Sequence, residues 1–409
     1  MTTDPDLFSV LDRASQGIEP PTEPHHAAAA ALSRARTIRT RRRGVVAGAV
    51  AAVAVLAFVV ATGIPGLDRS DPPIAPAPTV PAMPDSAVQP TWDPRGAGDL
   101  PQGDSALPKT LEPPRDAADL PLAGAARMIL GGVEDRLFLL GQDGSWAATT
   151  TPSGSAYGSA LSDDGTMLAS VGPQGLWVTD VRDGNWRRLE VPAGPDWIWG
   201  GIDVTVTWRG DDQVVLRSMG MGAATVDVDG AGSSTPTAYD TAGLFGLALA
   251  PDGVAIVSGM GAEGPVILEV ADGSVSRSFD AGALERLWQP VASADRVVGV
   301  VDGIPRSDRT TDHAGVIVLD RRDGYAATAY LPIARTHYNP GVGIGSAGID
   351  GLRPLAWIDD STVLLSRAPA LGRPWSLVAW DVDSGKLSLL SEGGSTTRPL
   401  GVARDLVRD

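Results

Sequence analysis

This 409-residue sequence predicts an all-β fold, a six-bladed β-propeller carried behind one N-terminal transmembrane helix and a proline-rich linker. Three observations carry that prediction. They are an uncharged apolar run at 44–64, a stretch crowded with proline at 65–124, and an Asp-Gly turn signature that returns six times after residue 125.

The apolar run divides everything else. It reads GVVAGAVAAVAVLAFVVATGI, directly after Arg41-Arg42-Arg43. At about 1.5 Å per residue such a helix covers about 30 Å, the thickness of a bilayer's hydrocarbon core. In lipid a helix satisfies its own backbone hydrogen bonds, which a loop or open strand does not. Six arginines between 34 and 43 face a sparse far flank of Asp68, Arg69 and Asp71. The positive-inside rule then puts residues 1–43 in the cytoplasm and the C-terminal domain outside, so the lipid bilayer is the first expected partner. A cleaved signal peptide is the competing reading, although its leader and apolar segment would both be unusually long. A buried core helix is the third.

Within the tail, Leu7, Phe8, Val10, Leu11 and Ala14 recur at helical spacing, with Asp4 placed to cap. That pattern suits a docking peptide for a cytoplasmic regulator; a tail that only fixes topology is the plainer alternative. His25-His26 lack a third ligand, so no metal is expected there.

Charge is unevenly held. The tail has seven Arg against five acids, whereas residues 44–409 have 26 basic against 44 acidic side chains. A domain this acidic is repelled by phosphate backbones, which excludes nucleic acid as its expected partner. With no cysteine in the chain, thiol catalysis, Cys-based zinc sites and disulfide staples are all excluded.

Residues 65–124 hold fourteen prolines, many in runs such as IAPAPTVPAMP. This composition favours extended polyproline II and reads as a disordered linker lifting the outer domain away from the membrane. Trp92 has no role in that reading.

From residue 125 the composition changes to short apolar runs separated by tight turns. The signature appears at Gln142-Asp143-Gly144, then as VTDVRDG (178–184), TVDVDG (225–230), LEVADG (268–273), VLDRRDG (318–324) and WDVDSG (380–385). Asp-Gly supplies the positive φ of a hairpin turn. A second signature precedes each copy after the first: LSDDGTMLAS (161–170), WRGDDQVVLR (208–217), APDGVAIVSG (250–259), SADRVVGV (293–300) and WIDDSTVLLS (357–366). Two hairpins per repeat make four strands, the unit of a β-propeller blade. The first copy has only three strands, and RPLGVA at 398–403 resembles the missing one, so the C-terminus is expected to complete blade 1 and close the ring. Five or seven blades, or two β-sandwiches, are the alternatives.

SDDG, APDG and Trp380-Asp381 resemble the blade turns of TolB-type and WD-repeat propellers over residues 125–409. The order of tail, span, linker and propeller also resembles membrane proteins of actinobacteria, some of them linked to alternative sigma factors. The resemblance implies a membrane-anchored binding domain, with a sigma factor as one possible regulator at the tail.

In such a blade, one set of connections is mostly tight and acidic and the other holds most of the long loops: 192–200, 218–223, 258–264, 303–314, 335–351 and 367–374. Binding residues concentrate on loops above a rigid scaffold. The expected contact residues are therefore Trp197, Trp199, Arg306, His313, His337, Tyr338 and Arg373. Exposed Trp and Tyr suit a sugar ring or peptide, so the outer partner is expected to be a protein, peptide or glycan; packing of the loops themselves is the competing role. No GxSxG, HExxH or Walker loop occurs. GIGSAG (343–348) lacks the βαβ frame of a dinucleotide site, with Pro340 before it and Pro354 after it. No cofactor and no catalytic residue are expected; an exported hydrolase is the rival function.

Overall fold

The computed structural model describes residues 77–407 apart from 133–134, 155, 157, 192–201, 220–221, 230–235, 238–243, 262–263, 272–273, 283, 285–286, 302–313, 335–351 and 368–373. The expected tail and the 44–64 span lie outside these residues. Among the described residues no helix is long and apolar enough to cross a membrane.

Two short strands come first, β1 (Thr110–Leu111) and β2 (Ala118–Asp119). Blade 1 follows with β3 (Ala126–Gly131), β4 (Arg136–Gly141) and β5 (Trp146–Thr150). Blade 2 is β6 (Ser159–Leu161), β7 (Met167–Gly172), β8 (Gly175–Asp180) and β9 (Arg187–Leu189). Blade 3 is β10 (Ile202–Arg209), β11 (Gln213–Met219), β12 (Gly222–Asp227) and β13 (Pro236–Thr237). Blade 4 is β14 (Leu244–Leu249), β15 (Ala255–Met260), β16 (Pro265–Ala271) and β17 (Ser274–Asp280). Blade 5 is β18 (Trp288–Ala292), β19 (Arg296–Val301), β20 (Gly315–Asp320) and β21 (Ala326–Pro332). Blade 6 is β22 (Leu352–Trp357), β23 (Thr362–Arg367), β24 (Trp375–Asp381) and β25 (Leu387–Gly393), and β26 (Arg398–Val402) ends the series.

Each blade is an antiparallel meander, and β26 pairs with β3 as the inner strand of blade 1, with Arg398 opposite Gly131 and Val402 opposite Met128. The six-bladed ring is closed by the C-terminus, as the three-stranded first repeat predicts. Five and seven blades are ruled out by the strand order. The turn signatures fall where hairpins need them: Gly144, Gly165, Gly184, Gly253, Gly324 and Gly385 all have φ between 60° and 82°, where a Cβ is strained.

Blades stack face to face, so both sides of each sheet are buried, and one apolar cluster fills each of the six junctions. That is why the middle strands read as continuous apolar runs such as GVIVLD and SLVAWD rather than as an alternation. Five of the six inner strands carry a bulge or irregularity, at Ile202/Val204, Leu244/Gly246, Trp288/Val291, Pro354/Ala356 and Pro399/Gly401. An extra residue bends a strand and strengthens its twist, which suits strands crowded around an axis.

The linker reading of 65–124 does not describe the residues from 77 onward. They form a strap along the outer edges of four consecutive blades, and every pairing is parallel. Thr79 bridges Asp280 on blade 4; Val88 and Trp92 bridge Tyr330 and Ile333 on blade 5. Gln102 and β1 meet β25 on blade 6, and β2 meets β5 on blade 1. Val80, Trp92, Ala97, Leu107, Leu111 and Leu122 are buried in the blade junctions the strap crosses.

Proline suits such a strap for a physical reason. An added edge strand is paired on one side only, so its outward positions need no N–H. The N–H groups of Val80, Gln89, Trp92, Gly103 and Leu120 donate to the blades, and the carbonyls of Pro78 and Pro101 accept from Asp280 and Leu389. Gln89 adds a clasp: its Oε1 accepts from Trp380 Nε1 at 2.7 Å while its Nε2 donates to the Val382 carbonyl at 2.9 Å.

Candidate functional site

Strand direction sorts the connections. Every inner strand runs toward the acidic hairpin turns (162–166, 210–212, 250–254, 293–295 and 358–361), and the Asp-Gly turns leave the ring on that same face. The opposite face receives the connections between the second and third strands of each blade and those between blades. These include all six long loops named from the sequence. The seven expected contact residues, Trp197, Trp199, Arg306, His313, His337, Tyr338 and Arg373, lie outside the described residues, as does GIGSAG. The described strand ends flank them all on one face.

The axis of the ring holds a cavity of about 200 Å³, to which every inner strand contributes. Ala160, Thr207, Ala248, Val291, Ala356 and Gly401 are one lining residue from each. Two indoles brace its wall in the same way: Trp208 Nε1 donates to the Ala160 carbonyl at 3.0 Å, and Trp357 Nε1 to the Val291 carbonyl at 3.2 Å. Each joins the end of one inner strand to the inner strand of the preceding blade.

The acidic-face mouth is polar. Arg404, just past β26, pairs with Asp163 at 2.5 Å, and the Asp405 N–H donates to the Asp163 carbonyl at 3.1 Å. Burial raises the Asp163 carboxyl, and the Arg404 charge only partly offsets it. Burial would raise Asp164 too, but hydrogen bonds from Ser162 and Thr166 outweigh it and hold that group low. Asp211, from the equivalent turn of blade 3, is raised by burial and then by the charges of Asp164 and Asp163. Asp211 and Asp164 thus act on each other in opposite senses: the contact that lowers Asp164 raises Asp211. Among the described residues no group of three or more His, Asp or Glu is arranged to hold a metal ion.

Sequence reasoning treated these acids as turn residues and missed their convergence. Asp163, Asp211 and Asp405 are far apart in the chain, and only ring closure brings them to one mouth. The doubled acids in SDDG and GDD were the available signal, since a hairpin turn needs only one.

A second cluster of ionisable side chains ties two blades together. Tyr325 is fully buried and donates to Glu269 Oε1 at 2.8 Å; Arg321 lies 3.5 Å from the same carboxylate and 3.1 Å from Asp252. Burial, then the hydrogen bond to Glu269, raises the Tyr325 phenol, so it stays a donor rather than becoming a nucleophile. The group ties blade 4 to blade 5, with Arg321 also donating to the Ala294 carbonyl.

No protein-family model matches the chain, and no curated protein matches it. Among solved structures, the crystal structure of TolB from Acinetobacter baumannii is similar at 13% identity, covering 67% of each chain with a TM-score of 0.44. The propeller assignment rests on the strand order given above and not on that likeness.

Proposed function

We propose that the chain is a non-enzymatic binding protein, tethered to a membrane through 44–64, whose propeller presents its long-loop face to a protein, peptide or glycan outside the cell. The observation that supports it best is the segregation of connections. One face of the ring is made mostly of tight turns, while the connections of the other include the long loops that carry Trp197, Trp199, Arg306, His313, His337, Tyr338 and Arg373. A rigid ring beneath variable loops is the arrangement binding surfaces use. The hydrogen bonds and ion pairs of the Tyr325 cluster are accounted for by the tie between blades 4 and 5, which fits a binding role. Residues 1–43 remain the proposed contact for a cytoplasmic regulator.

The test is binding by the full-length protein in detergent to panels of peptides and glycans, with Trp197→Ala, Tyr338→Ala and an alanine variant in the acidic turns. Binding weakened about tenfold or more by the loop variants alone supports the reading. Binding lost only in the acidic-turn variant overturns it, and turnover of any panel member supports the hydrolase instead. Protease added to intact cells checks the side of the membrane: a protected C-terminal domain refutes the outward orientation.

A further inference from the structure

At the long-loop end of the axis, blade 6 meets blade 1, and polar side chains of both blades lie at that junction. Arg353 is the second residue of β22, and Arg398 is the first of β26, the neighbouring inner strand. Arg353 Nη2 donates to the Pro399 carbonyl, which turns its guanidinium across the junction toward Arg398. Directly opposite Arg353 in the ladder stands Ser366, so their side chains leave the same face of blade 6. Ser366 is fully buried, and its Oγ has no hydrogen-bond partner.

Among the described residues no carboxylate forms an ion pair with Arg353, and the Pro399 carbonyl is the one acceptor it meets. Burial, followed by the neighbouring Arg398 charge, pushes its guanidinium down to about 10, so it is still a cation at neutral pH. A guanidinium with a carbonyl as its acceptor, beside an orphaned buried hydroxyl, is a costly arrangement that an anion would complete. A guanidinium fork presents paired N–H donors to the oxygens of a carboxylate or phosphate, and a serine hydroxyl adds a third donor.

We propose that this junction is an oxyanion site: Arg353, Arg398 and Ser366 take the carboxylate or phosphate group of a ligand entering from the long-loop face. The inference deepens the binding function proposed above and rests on it only for the face of entry. Because blades 6 and 1 are joined here by the C-terminal strand, an occupied site also strengthens ring closure.

The test is thermal unfolding of the full-length protein in detergent, titrated with sodium phosphate or sodium acetate against sodium chloride at matched ionic strength. Phosphate, acetate or both should raise the midpoint above chloride, and the arm that acts identifies the anion. Arg353→Met keeps the side chain's length and removes its charge. It should weaken the anion effect about tenfold or more while leaving the anion-free protein at least as stable as the parent. Ser366→Ala should weaken the effect without changing its anion preference. Tyr338→Ala, on the loops, should leave it intact, which separates failure of this site from failure of the long-loop reading. The proposal is overturned if neither anion acts beyond chloride, or if Arg353→Met destabilises the protein and retains the anion effect.

Discussion

Replacing Trp92 separates a strap from a linker. Trp92 is only 7% exposed and packs with Trp288, Trp357 and Trp380 between blades 5 and 6, while its backbone N–H donates to Pro332. Removing a buried indole costs about 3–5 kcal/mol. The Trp92 Nε1 is buried without an acceptor, a burden on the native state that alanine also removes, so the lower end of that range, about 3 kcal/mol, is expected. Trp92→Phe keeps most of the packing and discards the orphaned N–H, so its cost should stay within about 1 kcal/mol. Val275→Ala, at a side chain 54% exposed on β17, serves as the surface control and should stay within about 0.5 kcal/mol. The assay is urea unfolding of the full-length protein followed by circular dichroism, comparing midpoints at constant slope. If Trp92→Ala matches the surface control, the strap contributes nothing to the fold and the argument from burial fails.

Gln89→Leu should cost about 1–3 kcal/mol in the same assay, because Trp380 Nε1 and the Val382 carbonyl both lose their partner. Ending the chain before Arg398 removes the inner strand of blade 1 and exposes β3, so cooperative unfolding should be lost; a truncated protein that melts like the parent refutes closure by β26. The Asp163 and Asp211 carboxyls are raised in the folded protein, so their contribution is full below the unfolded value of 3.8 and is lost as pH rises through their folded values. Asp211→Asn keeps a donor to Asp164 and cannot ionise. Its stability should exceed the parent's at pH 7 and converge on it toward pH 4, and an unchanged difference across that range would show that Asp211 does not titrate in the native state.

The blades were legible because a hairpin is a local object. Asp-Gly at 183–184 or 323–324 sits within the two strands it joins, and the missing fourth strand of the first repeat pointed to 398–403. The strap was not legible, because its meaning depends on what lies beside it. Proline supplies no N–H and disfavours regular ladders, and in isolation that signals a chain without partners. Against an outer strand that pairs on one side only, the same residues fit, and Gln89 finds Val382 across 293 positions of sequence. Trp92, which composition left without a role, was the residue that argued against a linker. The acids at the cavity mouth and the Arg353 junction were hidden for a related reason: Asp163 with Arg404, or Arg353 with Pro399, become neighbours only when the ring closes.

That closure is made twice over. The C-terminal strand enters blade 1 at the axis, and the N-terminal strap crosses the same blade 6 to blade 1 junction at the rim, through β1 on β25 and β2 on β5. An edge left open at either radius would invite pairing with another chain. The two devices also differ in what breaks them. β26 is antiparallel and lies in the centre of the ring, beside the Arg353 junction, whereas the strap is held by scattered parallel bridges and by buried anchors such as Trp92 and Leu111. The strap therefore can be released one bridge at a time from residue 79 onward while β26 still holds the ring. Stepwise loss of the strap before the blades, seen as early hydrogen exchange at Val80 and Gln89 ahead of Met128 and Leu130, is the order this architecture requires. Simultaneous exchange at all four would mean that rim and axis unfold as one unit.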